Sequence, residues 1–392
     1  MKNSTVLFLT LSLTAVLFIG CKTKTVEPPY DNPLAPGQLA LRKITDPTLI
    51  PEFNFNPKDL SKAIDFSLDY LSKPSSQKYY PYGAITHDQT VQSLKEFQNI
   101  LSTSQNAQDF NNLIRQKFDV YESVGCDNEG TVLFTGYYTP IFEGSFTPGG
   151  KFLYPLYQQP ADLAKGPDGE ILGRKNPDGS TSEYPPRRVI EKSGMLRGTE
   201  LVWLTDPFEV YIAHVQGSAK IKLPDGKIVT IGYAANNGHE YVSIARELVK
   251  DNKIAADEIS LGAMIDYFKK NKDQVEPYVL RNPRFVFFRE EQGSPRGSLN
   301  VPVTPMRTIA TDKFIFPRGG LAYVATNLPQ IRGTAIENAE YGDFALDQDT
   351  GGAIRAAGRC DVYMGVGSLA GKLAGKTYQE GRLYYLFLKQ AK

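Results

Sequence analysis

The chain has 392 residues, with 44 Lys and Arg against 43 Asp and Glu and a formal net charge of +1. That length accommodates two domains, and the balanced charge gives no reason to expect a nucleic-acid partner, which normally needs a basic stripe. Tyr and Phe are abundant (22 and 21) beside one Trp and three His, a composition that suits stacking on sugars or bases but more commonly fills β-sheet cores.

The chain starts with Lys2 and an apolar run from Val6 to Gly20. The run is shorter than the roughly 20 residues a spanning helix needs and reads as an export signal. It ends Leu17-Phe18-Ile19-Gly20-Cys21. This resembles the bacterial lipobox, in which the signal is cut before a Cys that is then acylated, although Phe18 stands where Leu is usual. Cys21 is therefore the expected lipid anchor, and several acyl chains hold a protein stably on a membrane. Lys22 to about Gln38, rich in Pro and polar residues, reads as a tether. Cys126 and Cys360 remain, and their spacing leaves open whether they pair.

Beyond the tether, Asn56-Pro57 predicts a helix start ahead of Leu60, Ile64, Leu68 and Leu71. Thr86 and Gln89 form a capping-box pattern before Val91, Leu94, Phe97 and Leu101, and a third stripe carries Phe110, Leu113, Ile114 and Phe118. From about Thr131 short β-like runs take over: 132–134, 208–215, 221–223 and 228–233, with Pro224-Asp225-Gly226 as a hairpin turn. Helical patterns follow around 241–249 and 261–270. Strand-like runs resume at 285–289, 308–310, 322–325, 344–346 and 383–388. Many short strands argue for barrel-like β units rather than a doubly wound sheet.

Several chemistries drop out. Gly365-Val366-Gly367-Ser368-Leu369-Ala370 has the dinucleotide-loop spacing, but the helix after it reads as barely two turns and the wider nucleotide fold has no room. The loop opening Asp347-Gln348-Asp349 lacks the calcium-loop Glu, having Gly358 there. His239-Glu240 has no second His at zinc-protease spacing, and no nucleophile elbow occurs. Carboxylates are left to carry the chemistry. The densest cluster of special residues is Asp349-Thr350-Gly351-Gly352-Ala353-Ile354-Arg355, followed by Gly358-Arg359-Cys360-Asp361-Val362-Tyr363-Met364-Gly365. Asp349, before Thr-Gly-Gly, suits a turn cap or a catalytic role equally. Asp361 lies inside an apparent strand, where side chains are held rigidly and charge is rarely buried without purpose.

These residues resemble the C-terminal three-aspartate (3D) domain of the membrane-bound lytic murein transglycosylase A family. Further blocks resemble the same family in order: Phe134 to Pro140 (FTGYYTP), Tyr184 to Arg187 (YPPR), Leu204 to Pro207 (LTDP), His214 to Ser218 (HVQGS), Gly232 to Ala234, Asn237 to His239, Asn282 to Glu290 and Val301 to Pro305. The resemblance implies a mainly β fold with helices: a double-psi β-barrel domain with an inserted second β domain and a groove between them. The implied boundaries are a signal peptide at 1–20, a lipidated N-terminus and tether at 21–45, the barrel domain with its helices at 46–140 and 284–392, and the insert at 141–283. The family's three aspartates fall on Asp312, Asp349 and Asp361, Asp312 being the weakest match because Phe316-Pro317-Arg318-Gly319 replaces Ile-Pro-Leu-Gly.

The implied activity is cleavage of the β-1,4 bond between N-acetylmuramic acid and N-acetylglucosamine in peptidoglycan, leaving 1,6-anhydro ends. Asp361 serves as acid and then base, with Asp349 assisting. Tyr137, Gln216, Ser218, Tyr233, Asn237 and His239 are expected to line the groove, and Arg187 to meet a lactyl or peptide carboxylate or to form a structural ion pair. No metal or organic cofactor is implied. Glycan strands, the membrane through the lipid and a wall-remodelling complex are the expected partners, at the outer membrane facing the periplasm. The alternatives are a non-catalytic wall-binding lipoprotein on the same scaffold, a protein-interaction module, and a hydrolase recruiting Asp206, Glu143 or Glu240 as a second carboxylate.

Overall fold

The computed structural model describes residues 30–167 and 169–390; the expected signal segment, Cys21 and the first part of the tether lie outside them. From Tyr30 onward the expected tether is docked. The Tyr30 hydroxyl donates to Glu380 at 2.6 Å, the Gln38 amide donates to Asn128 at 2.9 Å, and Ala40 and Leu41 are buried. Strand β1 (Leu41–Lys43) then pairs antiparallel with residues 121–123. The apolar side chains of Leu34, Ala40 and Leu41 overrode the polar composition by packing on the barrel core.

Three helices follow. The first, α1 (Leu60–Leu71), starts at Leu60 behind Asp59 in the left-handed region (φ 58°), not at Asn56-Pro57. Asn56 is engaged elsewhere: its side chain donates to Asp343 at 2.7 Å and its carbonyl accepts from Arg307 at 3.1 Å. Helix α2 (His87–Thr103) has Thr86 as its N-cap, accepting from Gln89 N at 3.0 Å, and α3 (Ala107–Lys117) is capped by Asn106. Phe118, expected at the end of the third helical stripe, opens β2 (Phe118–Ser123) instead. Leu60, Ile64, Leu94, Phe97, Phe110 and Ile114 pack on Val120, Phe344 and Leu386 of the sheet beneath. Polar bonds fix the register of that layer: Gln348 donates to Ala63 O at 2.8 Å and Ser67 Oγ at 3.0 Å.

Strand β3 (Val132–Thr139) passes through Pro140 directly into β4 (Ile141–Ser145), where an inserted unit begins. Its strands are β5 (Tyr154–Tyr157), β6 (Leu163–Lys165), β7 (Ile171–Lys175), β8 (Thr181–Ser182), β9 (Glu200–Leu204), β10 (Ser218–Lys222), β11 (Ile228–Asn236) and β12 (Val286–Glu291). They form a six-stranded sheet in the order β12-β11-β10-β4-β9-β5 and a small one, β6-β7-β8. Its helices are α4 (Arg187–Ser193), α5 (Pro207–Gln216), α6 (Ile244–Lys250), α7 (Leu261–Lys270) and α8 (Val275–Val279). The run 208–215, expected as strand, is α5. Asp206 accepts from Phe208 N at 2.7 Å and Pro207 occupies the first turn, a start signal that outweighed β-branched content. The insert's sheet also runs past the expected boundary at 283, because β12 pairs with β11 as far as Glu291.

The barrel is completed by β13 (Thr308–Ala310), β14 (Leu321–Arg332), β15 (Ala335–Asp349), β16 (Arg359–Val366) and β17 (Tyr378–Leu388), with α9 (Gly367–Lys376) before the last strand. Six strands close a ring, β17-β14-β15-β13-β16-β3 and back to β17, with parallel pairs β13–β15 and β16–β3. This is a double-psi β-barrel carrying an inserted β unit. Val132, Phe134, Ile309, Val324, Cys360, Val362 and Met364 share its core. Strand alternation therefore turns Thr135, Tyr137, Thr139, Asp361 and Tyr363 outward. Gly365 and Gly367, at φ 111° and 87°, form the turn into α9, which is longer than the two turns expected. Gly136 lets that helix settle on β3, since a Cβ there would stand 2.8 Å from Ala374 Cα.

Phe344 is buried on β15 with ring centroids 4.7 Å from Phe97, 5.4 Å from Phe53 and 5.8 Å from Phe110. Phe344→Ala is expected to cost about 3–5 kcal/mol by opening a cavity between helices and barrel, read as a lowered urea midpoint.

Candidate active site

Strand β13 holds the site together. Ala310 pairs with Asp361 of antiparallel β16 on one side and with Asp349 of parallel β15 on the other. Two strand spacings separate the two aspartates, about 10 Å between backbones. The next strand round the ring brings Thr135 of β3 level with Asp361 and Tyr137 level with Tyr363.

Asp361 is half-buried on this outer face. Its Oδ1 accepts a short hydrogen bond from the Thr135 hydroxyl, which in turn accepts from Arg359 Nη2 at 3.2 Å. Oδ2 has no hydrogen-bond partner among the described residues and is not fully enclosed. Burial raises the carboxyl's pKa from its ordinary value, against the opposing pull of the Arg359 charge and the Thr135 bond. The enclosing protein raises it, not a second carboxylate. Arg359 Nε is buried with no partner.

Asp349 is held differently. Its Oδ1 accepts from Ser298 N and Thr350 N, both at 2.8 Å, and its Oδ2 accepts from the Tyr137 hydroxyl at 2.8 Å. Burial raises its pKa too, while those three bonds and Lys313 pull it down. Both oxygens are spent, so Asp349 anchors loops and orients Tyr137. The Tyr137 ring lies 5.1 Å from Tyr363, and its hydroxyl is pushed well above its ordinary pKa by burial first and by Asp349 and Asp361 after it. Asp312 is buried as well, accepting from Phe314 N and from Ala356 N, both at 3.1 Å. It ties the 311–320 loop to the loop before β16, where Ala356 has φ 65°.

The other expected groove residues separate into two places. Gln216 and Ser218 sit where the insert meets the barrel: Gln216 Oε1 accepts from Tyr138 N at 3.0 Å, and Ser218 Oγ is 3.3 Å from Thr139 Oγ1. Thr139 also bonds Tyr363 at 2.9 Å, linking the junction to the outer face of β16. Tyr233, Asn237 and His239 belong to the β11 end of the insert. Tyr233 is 40 % exposed and accepts from Asn236 at 2.6 Å. Asn237 departs from its expected lining role, because its amide donates to Pro185 O and Pro283 O and accepts from Phe285 N, and only 2 % of it is exposed. His239 Nε2 bonds Tyr184 O at 2.6 Å. Of the two roles left open for Arg187 the structural one holds: it is buried, ion-paired with Glu191 at 2.8 Å and bonded to Asn282 O and Arg284 O.

Two of the three carboxylates named for a hydrolase are occupied elsewhere, and the third is exposed. Asp206 caps α5, Glu143 pairs with Lys151 on the surface, and Glu240 is exposed beyond β11. Glu209 joins Asp206 and Glu143, its pKa pushed up to about 7 by burial and then by those two charges. The thiols of Cys126 and Cys360 are free. Sequence reading missed Thr135, Arg359 and Arg284. Thr135 and Arg359 were legible only once strand alternation put them on Asp361's face. Arg284 is half-buried, donates to His239 O at 3.0 Å, and lies with its Nε 3.1 Å from where a Cβ on Gly352 would be.

Comparison with known proteins agrees with this architecture. Residues 133–289 match the family described as MltA specific insert domain, and residues 307–387 match the 3D domain. The chain is 30 % identical over 272 residues to membrane-bound lytic murein transglycosylase A of Vibrio cholerae, 68 % of each chain. It is 28 % identical over 282 residues to the Escherichia coli protein of that name, covering 71 % of this chain and 72 % of that one. Among solved structures, a membrane-bound lytic murein transglycosylase from Agrobacterium tumefaciens superposes with a TM-score of 0.73 at 26 % identity, covering 89 % of this chain and 98 % of that one. Escherichia coli MltA with bound chitohexaose gives 0.68 at 24 %, covering 94 % and 97 %, a likeness of fold.

Asp361→Asn keeps an acceptor for Thr135 and removes a carboxyl whose folded pKa is raised. Such a group favours folding below its unfolded value of 3.8 and loses that contribution as pH rises through the folded pKa. The variant is therefore expected to melt higher than wild type at pH 7, with the difference vanishing below about pH 4.

Proposed function

Because the chain belongs to the membrane-bound lytic murein transglycosylase A family, we propose that it is a peptidoglycan lytic transglycosylase of the cell envelope, using Asp361 alone as acid and then base. The observation that carries this reading is the unequal state of the two aspartates: Asp349 has both oxygens engaged, whereas Asp361 has Oδ1 held by Thr135 and Oδ2 open.

In the proposed reaction a glycan lies across the outer face of β16 and β3, against the insert. Protonated Oδ2 of Asp361 gives its proton to the glycosidic oxygen leaving toward N-acetylglucosamine, and the bond to C1 of N-acetylmuramic acid breaks. The resulting carboxylate takes the proton of the C6 hydroxyl as that oxygen bonds to C1, closing the 1,6-anhydro ring and restoring the acid. The nucleophile belongs to the substrate, so no water is positioned and intramolecular attack keeps its entropic advantage. Burial keeps Asp361 protonated to higher pH, as a general acid requires. Arg359, acting through Thr135, supports the carboxylate stage.

Lipidation at Cys21 would place the enzyme on the outer membrane facing the periplasm, within reach of its substrate and of other wall enzymes. No helix among the described residues is long and apolar enough to cross a membrane.

Mass spectrometry of peptidoglycan digested by the soluble form is expected to give muropeptides one water lighter than hydrolytic products. Asp361→Asn should lower the rate by about 10²–10⁴-fold. Water-bearing products would make the protein a hydrolase; retained binding with no products would make it a wall-binding lipoprotein.

Activity should fall as pH rises through the raised pKa of Asp361. The Thr135 bond lowers that pKa. Thr135→Val should therefore move the alkaline limb of the pH–rate profile upward while reducing its height. An unmoved limb would remove Thr135 from the mechanism.

A further inference from the structure

The loop between β15 and β16, which leads from Asp349 to Asp361, carries a second cationic feature. Arg355 bends back so that its Nη1 donates to Gly351 O at 3.2 Å and Ile354 O at 3.1 Å. Arg284, at the start of the insert's last strand, faces the same loop, its Nε against Gly352 and its Nη1 on His239 O. Neither guanidinium is ion-paired among the described residues; each donates only to main-chain carbonyls. The two charges are close enough to act on each other. Burial first pulls the Arg284 pKa down, and Arg355 adds to that pull, while Tyr233 and Glu240 only partly offset it. Two half-buried cations across a domain boundary, neither of them ion-paired, leave donors free and charge only partly offset, an arrangement suited to a planar anion.

We propose that Arg284 and Arg355 form a subsite for a carboxylate carried by the muramyl residue of the substrate. The inference rests on the reading of this groove as a glycan site. A polymer of N-acetylglucosamine has no anionic group, whereas each muramic acid has a lactyl arm at O3. That arm ends in a free carboxylate or continues as a peptide stem bearing its own carboxylates. In the proposed reaction the muramyl ring whose C1 reacts lies beside Asp361, the third residue of β16, and the loop that carries Arg355 leads into that strand. A cation pair there selects which of the two alternating sugars occupies the reacting position, which hydrogen bonds to the common acetamides cannot do. It supplies the first of the two roles the sequence left open for Arg187, whose enclosed guanidinium takes the second, a structural ion pair.

The test uses Asp361→Asn protein, which binds without turning over, and calorimetry with three ligands. These are chitohexaose, muramyl glycan strands stripped of peptide, and strands bearing stems. Added to that parent, Arg355→Gln, Arg284→Gln and the milder Arg284→Lys are each checked by melting temperature. The expected result is about tenfold weaker binding of a carboxylate-bearing ligand for the Gln variants, the scale of one lost charge-assisted hydrogen bond. Chitohexaose affinity should stay within about twofold, and Arg284→Lys should recover part of the loss. A loss confined to stripped strands identifies the lactyl carboxylate, and one confined to stem-bearing strands the peptide. Equal losses for all three ligands, or none for either muramyl ligand, would overturn the subsite. Failure of the catalytic reading would appear instead in wild-type products that carry water.

Discussion

The site depends on a three-residue strand. β13 gives hydrogen bonds to β15 on one side and β16 on the other, and Ala310 is level with both aspartates. Because one pairing is parallel and the other antiparallel, loops of different origin converge at this level: the 292–305 segment over Asp349, the 350–358 loop ahead of Asp361, and the 311–320 loop tied to Ala356 by Asp312. The parallel β16–β3 pair then places Thr135 beside the acid. Each partner of Asp361 and Asp349 follows from ladder register rather than from proximity in sequence.

The environment separates the two carboxylates by function. Both are raised by burial, so position in the fold alone does not distinguish them. Hydrogen bonds do. Three donors fasten Asp349 to the backbone and to Tyr137, while a single hydroxyl steadies Asp361 and leaves its other oxygen for substrate. Two residues before Asp349 on the same strand, Asp347 accepts from Thr311, Lys313 and the Tyr385 hydroxyl in a buried cluster. That charge is paired internally and takes no part in the groove. Asp347 and Asp349 differ by two residues on β15, yet one is a structural ion pair and the other faces the loops of the site.

Much of this was legible in the sequence because the informative signals are local. Thr86 as a cap, the Pro224-Asp225-Gly226 turn and the position of Asp361 within a strand depend on neighbours in the chain. Where the reading departed from the structure, a distant contact had decided the outcome. Asn56 looked free to cap a helix and is held by Asp343 and Arg307, far along the chain. The 30–45 segment looked like linker and is packed on the barrel. Asn237 is a polar residue in a signature block and is consumed by backbone groups of Pro185, Pro283 and Phe285. The exception is α5, whose Asp206-Pro207 start was local and was outweighed by the β-like composition after it. Thr135, Arg284 and Arg359 stand in blocks the sequence singles out, yet only pairing across strands and domains gives them their roles.

One strand does two jobs, and this restricts how the protein can change. Along β16 the odd residues Asp361 and Tyr363 point out of the barrel, while Cys360, Val362 and Met364 fill it. A single inserted or deleted residue would invert both sets, sending the carboxylate into the core and a thiol into the groove. The acid therefore cannot be shifted along its strand by small steps: lineages of this chain can lengthen or shorten the loops around it, but the strand itself changes only by replacement.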